Sequence, residues 1–319
     1  MKKILNRKFN KNIVSFYSTG RSGTKFLSMV FFKLGYLSFH EYLISDNEKI
    51  LKNDPENFNK FLTKYENKLF QIYKKSRIGI YYNVIDFGLN LREHFLQFVK
   101  IIFFNFFIKT DYIFETHSFL YLNFKLSKTK LNSNSINLFP IILFRNPFMT
   151  IQSMFSVEKQ NNFSTRMFEG DNSSDVENCV DIYIKYYDFI IKQLNNENYF
   201  ICNLEKLINN PKKEIKSLFN FLEIDLNEKK LNYIKNFIKN KPQKNNIRKS
   251  GKKETTAIDE IIINSDQFSI NKKFNEKELN LIHKKLEEND FFNKYNIEEF
   301  KLKYLERNYL QVKETHTGM

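Results

Sequence analysis

The chain has 319 residues, enough for one substantial core, and 42% of them are hydrophobic, which excludes a disordered chain. A formal charge of +15 points to an anionic partner such as a phosphorylated cofactor, a polyanionic substrate, nucleic acid or a membrane surface. Lys, Asn, Ile and Phe are enriched along the whole length, so compositional bias accounts for that charge as readily as a partner does. Only two cysteines occur, Cys179 and Cys202. That excludes a disulfide framework and a cysteine-built metal site, and fits two reduced thiols in a reducing compartment.

The first stretch, MKKILNRKFNKNIVSFYS, is basic but has no uninterrupted apolar run before a small-residue cleavage site. No signal peptide is expected. A short apolar run at 12–18 predicts the first strand, and residues 24–34 carry helical periodicity. Between them stands STGRSGTKF, the outline of a phosphate loop. It is not a Walker A loop, because only two residues separate Gly20 from Gly23 and Phe26 follows Lys25. Glycines allow a tight turn close to an anion, amides at a helix start point toward it, and Arg21 and Lys25 add two cations.

Further along, 79–85, 112–116, 136–144 and 199–203 read as strands buried on both faces. Residues 89–107, 148–157, 176–194 and 212–222 read as helices between them. The most apolar piece, FLQFVKIIFFNFFIK at 95–109, is too short to span a bilayer and contains Lys100 and Asn105, so a buried helix is expected. The alternation predicts an α/β, three-layer sandwich around a central, mainly parallel sheet. A polar, basic loop, NKPQKNNIRKSGKKETT, follows at 240–256, with two more helices at 275–288 and 297–308. The expected organisation is one domain over 1–319. Residues 12–225 carry the motifs and 257–319 form a helical C-terminal extension.

A second constellation lies in INLFPIILFRNPFMTIQSMF, 136–155. A strand ends in Arg145, Pro147 suits a first helical position, and Ser153 follows eight residues after the Arg. Arg145 then stands at the carboxyl edge of the sheet, where open α/β sheets bind ligands. Ser153, two turns into the helix, is within reach of a second oxygen of the same anion. The plainer alternative is an Arg capping carbonyls and a Ser facing solvent.

Together these segments resemble the sulfotransferases that use 3'-phosphoadenosine 5'-phosphosulfate (PAPS). That family has a first-strand loop of the type Arg/Lys-Ser-Gly-Thr-Thr for the 5'-phosphosulfate, and a later strand ending Arg-Asn/Asp-Pro with a Ser eight residues on for the 3'-phosphate. Here they stand as RSGTK and RNPFMTIQS, in the family's order. A third match, LEKLINNPKKEIKSLFNFLEI at 204–224, resembles the family's Tyr-Glu-Asp-Leu, Asn/Asp-Pro and Phe-Leu-Gly-Ile succession. Departures are Lys25 for the second Thr, Leu204 for Tyr and Glu223 for Gly. The resemblance implies a P-loop-like sulfotransferase fold, PAPS as co-substrate and no metal.

It also implies site residues. Arg21 falls on the sulfuryl group and the bridging oxygen. Ser22, Gly23, Thr24, Lys25 and Phe26 supply amides, hydroxyls and a cation to the 5'-phosphate, and Arg145 and Ser153 meet the 3'-phosphate. Sulfuryl transfer is close to phosphoryl transfer, so catalysis is mostly positioning and electrostatic stabilisation. An acceptor hydroxyl also needs a general base. Glu41, twenty residues after Arg21, matches a base position in carbohydrate and tyrosylprotein sulfotransferases. His117, in Glu115-Thr116-His117, matches the Lys-Thr-His motif of cytosolic sulfotransferases. The choice between them stays open. Arg248 and Lys249 resemble an Arg-Lys-Gly loop that closes over the 3'-phosphate, with Ser250 displacing the glycine; a solvated charge run explains them equally well.

Three rivals remain: a P-loop-type kinase or nucleotide phosphotransferase, a nucleic-acid binder, and a non-catalytic nucleotide- or glycan-binding relative. The loop spacing opposes the first, and scattered basic residues without a nucleic-acid motif oppose the second. The expected acceptor is a glycan or other carbohydrate-type hydroxyl, with an apolar acceptor as the counter-reading from the Phe-rich segment. The expected location is cytoplasmic, with no membrane span and peripheral membrane contact left open.

Overall fold

The computed structural model describes residues 11–19, 22–39, 55–74, 109–161, 175–239, 273–306 and 308. Five strands, β1 (Lys11–Tyr17), β2 (Tyr36–Phe39), β3 (Lys109–Glu115), β4 (Ile136–Phe144) and β5 (Phe200–Asn203), form one sheet in the order β2-β3-β1-β4-β5. All four pairings are parallel. Parallel strands need crossovers, and helices cover both faces. Between β1 and β5 they are α1 (Thr24–Lys33), α2 (Pro55–Lys74), α3 (Phe124–Ser133), α4 (Pro147–Asn161) and α5 (Val176–Gln193). After β5 come α6 (Leu204–Asn209), α7 (Pro211–Phe221), α8 (Glu228–Lys239), α9 (Glu276–Glu287) and α10 (Ile297–Leu305).

Side-chain alternation along β1 sets the two cores. Val14 and Phe16 face one way, into a cluster with Phe31, Phe114, Leu143 and residues of α6, α7 and α8. Ile13 and Tyr17 face the other way, into a larger cluster with residues of α2 to α5. That second core also takes in Phe274, Leu279, Ile282, Leu286, Phe292, Phe300 and Tyr304, so α9 and α10 complete it. The α/β sandwich with a parallel sheet is therefore what the sequence pattern predicts.

Caps explain why several helices begin where they do. Asp175 accepts from the Asn178 amide at α5, and Asn275 with Glu278 forms a full capping box at α9. The α7 end is less orthodox. Ile224 N–H bonds to Phe219 C=O at 2.8 Å, closing a Schellman-type turn with Glu223 at φ 55. This is the position where glycine is usual, and a non-glycine there costs about 1 kcal/mol.

Several elements escape the sequence reading: the four-residue β2, and the helices α2, α3, α6 and α8, whose patterns were not singled out. The expected strand at 79–85 and helix at 89–107 lie outside the described residues.

Candidate active site

The chain runs from β1 through α1 to β2, which lies beyond β3, and later crosses to β4 on the other side of β1. Winding therefore reverses at the carboxyl end of β1, the switch point where α/β sheets leave a crevice. Three strand ends meet there, and each carries residues singled out from the sequence.

At the β1 end, the loop is built on its own backbone and hydroxyls. Gly23 adopts φ 84, a left-handed conformation in which a Cβ would clash, and its carbonyl accepts the first helical bond from Leu27 at 3.1 Å. Ser22 and Thr24 are buried, and the Ser22 and Thr19 hydroxyls lie 3.1 Å apart. Phe26 seats its ring in the core and so ties the helix start to the sheet. Lys25 is the second residue of α1.

At the β4 end, Arg145 is only 7% exposed. Its guanidinium lies 3.9 Å from the Met149 sulfur, and its carbonyl accepts from Tyr183 at 3.4 Å. Asn146 is the organising residue. Its side-chain oxygen accepts from the Phe148 amide at 3.0 Å, starting α4 behind Pro147, and its side-chain nitrogen donates to Phe300 C=O at 2.8 Å. Its own amide donates to Glu205 Oε1 at 2.9 Å. Ser153 lies on α4 and is half-buried.

At the β3 end, Glu115 is buried and accepts from Tyr65 of α2 at 2.9 Å. Burial pushes its carboxyl up to about 7, while hydrogen bonds from Ser118 and Tyr65 hold it down in part. His117 follows two residues later, half-buried, its ring 5.2 Å from that of Phe119. The turn is hooked to β1, because Ser118 N–H donates to Phe16 C=O at 3.0 Å. Ser15 pairs with Glu115 in the register, which sets His117 alongside the exit of β1.

Two of these ends, those of β1 and β4, are held by one face of α5. Tyr186 donates to Ser18 C=O at 2.5 Å, and Tyr187 donates to Leu143 C=O at 2.9 Å. With Tyr183 on Arg145, three tyrosines spaced three and four apart anchor the exits of β1 and β4. Their helical spacing is visible in the sequence, but their purpose is not. Sequence reasoning also missed Asn146, Glu115 and Glu205.

The fold thus brings Ser22, Gly23, Thr24, Lys25, Phe26, Arg145, Ser153 and His117 to elements that open on one edge. Arg21, Glu41, Arg248 and Lys249 lie outside the described residues. Among the described residues, no group of three or more His, Cys, Asp and Glu gathers as metal ligands, and no helix is long and apolar enough to cross a membrane.

Fold and edge together define a doubly wound α/β protein with a glycine loop at its switch point and a buried Arg on the neighbouring strand. The chain belongs to the sulfotransferase family: the pattern of the sulfotransferase domain matches residues 14–301. Among curated proteins there is no match. Similar solved structures include mouse sulfotransferase SULT7A1 complexed with PAP, at 14% identity and TM-score 0.43, covering 92% of this chain and 89% of that one. The sulfotransferase domain from the curacin biosynthetic pathway is 13% identical, with TM-score 0.41 and coverage of 95% and 98%. Retinol dehydratase in complex with androsterone and inactive cofactor PAP is 13% identical, with TM-score 0.38 and coverage of 88% and 82%.

Proposed function

We propose that this sulfotransferase moves the sulfuryl group of PAPS to the hydroxyl of an acceptor, and that the acceptor is a glycan or another carbohydrate. The observation that carries the donor assignment is the pairing of two anion-suited features on one edge. Gly23 at φ 84 opens the backbone amides at the start of α1, and Arg145 stands buried at the end of the adjacent β4. A donor with a 5'-phosphosulfate and a separate 3'-phosphate fits two separated features better than a triphosphate does.

The amides of Ser22 to Phe26, with the Ser22 and Thr24 hydroxyls and Lys25, hold the 5'-phosphate. Arg145 and Ser153 hold the 3'-phosphate, and Arg248 and Lys249 add positive charge for it. Arg21 stabilises charge on the peripheral and bridging oxygens, which grows as the bond to sulfur breaks; Arg suits the task because it stays charged and presents a fork of donors. Glu41 or His117 takes the acceptor proton. The glycan preference rests on the Arg-Ser-Gly-Thr loop with His40-Glu41 after it. The protein acts in the cytoplasm in this reading.

Adenosine 3',5'-bisphosphate (PAP) should raise the melting temperature without magnesium. Ligand at a hundred times its Kd adds about 2.7 kcal/mol to stability. A shift only with ATP and magnesium would replace the donor assignment with the kinase reading. For the acceptor, ³⁵S-labelled donor and a total extract are incubated with the enzyme, and products are partitioned between water and organic solvent. Label carried chiefly into the organic phase removes the glycan preference and leaves the transferase assignment standing.

A further inference from the structure

Glu205 has no part in the donor contacts above, yet it is built into the end of β4. Phe144 pairs with Asn203 across β4 and β5, so Asn146 and Glu205 each lie two residues beyond neighbouring strand ends. Glu205 Oε1 accepts the Asn146 amide at 2.9 Å. Its other oxygen, Oε2, is enclosed and has no hydrogen-bond partner among the described residues. An enclosed carboxylate oxygen without a donor is costly unless a nearby cation compensates. Arg145 from β4 and Lys303 from α10 are the cations that face it, and Tyr183 of α5 and Cys202 of β5 are the neutral titratable groups beside it.

We propose that Glu205 is a positioning residue for Arg145: it fixes the β4 exit through Asn146 and keeps a negative charge beside the guanidinium, so that capture of a phosphate at Arg145 is coupled to uptake of one proton at Glu205. The inference rests on the reading that Arg145 meets the 3'-phosphate. Without ligand, the guanidinium supports the carboxylate. A phosphate at the same guanidinium brings more negative charge into the enclosed space and takes a share of that cation. Like charges in such a space disfavour joint ionisation. The proton comes from bulk solvent to Oε2, whose lone pairs are unengaged, while Oε1 goes on accepting the Asn146 amide. Nothing is oxidised and no other bond changes. Burial already pushes this carboxyl up, against the pull of Arg145, Lys303 and the Asn146 amide, so the step starts from a group poised toward protonation. Glu115 is the fully buried carboxyl of this edge, but its hydrogen-bond partners are hydroxyls and it lies at the β3 end.

The test is calorimetric titration of the full chain with PAP in two buffers of different ionisation enthalpy, on the wild type and on Glu205→Gln. The amide oxygen of Gln still accepts from Asn146. The wild type should take up as much as about one proton more than the variant, and its affinity should gain up to about tenfold more per unit fall in pH. Titration of the nucleotide's own phosphates is common to both proteins and cancels. Glu205→Ala should weaken PAP about tenfold, with Gln restoring affinity whatever the pH. Equal proton uptake in wild type and Glu205→Gln, with PAP still bound, overturns this inference alone. Failure of the wild type to bind PAP overturns the 3'-phosphate reading and takes the inference with it. Infrared difference spectra of the unmodified protein give a readout that needs no variant. Addition of PAP should bring up a protonated-carboxyl band, and its absence overturns the inference.

Discussion

Two glutamates stand on either side of β1, Glu115 buried at the β3 end and Glu205, half-buried on α6, beside the β4 end, and their surroundings differ in kind. Glu115, at the β3 end, is met by the hydroxyls of Tyr65 and Ser118, and burial dominates. Glu205, at the β4 end, is met by a backbone amide and by the fields of Arg145 and Lys303. One edge is built of neutral donors around a carboxyl that gains a proton near neutrality. The other sets a carboxyl, anchored by a backbone amide, in the field of two cations. The same residue type therefore does different work on the two sides of one strand, because partners rather than identity set the balance between desolvation and compensation. The neutral edge adjoins His117, the acceptor-side candidate. The charged edge adjoins the donor's expected 3'-phosphate.

The largest expected effect belongs to the acceptor side, where His117 of the neutral edge is one candidate base. Replacing the true base should cost about 10²–10⁴-fold in turnover while PAP affinity survives. His117→Asn and Glu41→Gln, compared at saturating donor, show which it is. If both keep full turnover, the β3 end is not the acceptor side and the contrast between the edges loses its functional meaning.

Next comes the pH dependence of stability. Glu115 titrates at about 7 in the folded protein against an ordinary value of 4.5. The folded state keeps a proton that the unfolded chain has released, so the associated stability is present below 4.5 and is lost as pH rises through 7. That window spans on the order of 3 kcal/mol. Thermal melts should fall more between pH 5 and 8 in the wild type than in Glu115→Gln. Parallel melts would mean that the β3 edge is as compensated as the β4 edge.

On the charged edge, Arg145→Ala should weaken PAP by roughly 10- to 150-fold, the equivalent of a charge-assisted contact of about 1.5–3 kcal/mol. Calorimetry checks it, and unchanged affinity with the fold intact removes the 3'-phosphate assignment. Gly23→Ala tests the loop between the edges. Forcing a Cβ into φ 84 should lower stability by about 1–3 kcal/mol in denaturant titration, and PAP affinity should fall with it.

The smallest effect is a control away from both edges. Glu223 is exposed at φ 55 after α7, so Glu223→Gly should raise stability by about 1 kcal/mol in denaturant titration and leave PAP affinity unchanged.

The chain's own sequence determined the fold class, because strand and helix periodicities are local and their alternation forces parallel pairing. It also determined the elements that carry their own start signals: Pro147 at the head of α4, and the Asn275 and Glu278 box at α9. The loop and the Arg145–Ser153 spacing were readable for the same reason, since each lies within ten residues of chain. Only the tertiary structure decided the strand order, and with it the placing of β1 between β3 and β4. It also decided what holds the site. Tyr65 reaches Glu115 across 50 positions, Asn146 reaches Glu205 across 59, and Tyr186 reaches Ser18 across 168. Four residues of β2 hold no period long enough to read, and its place at the sheet edge comes from pairing with β3. The charge on a buried carboxyl is the sum of desolvation and distant partners, and chain order encodes neither until the chain has folded.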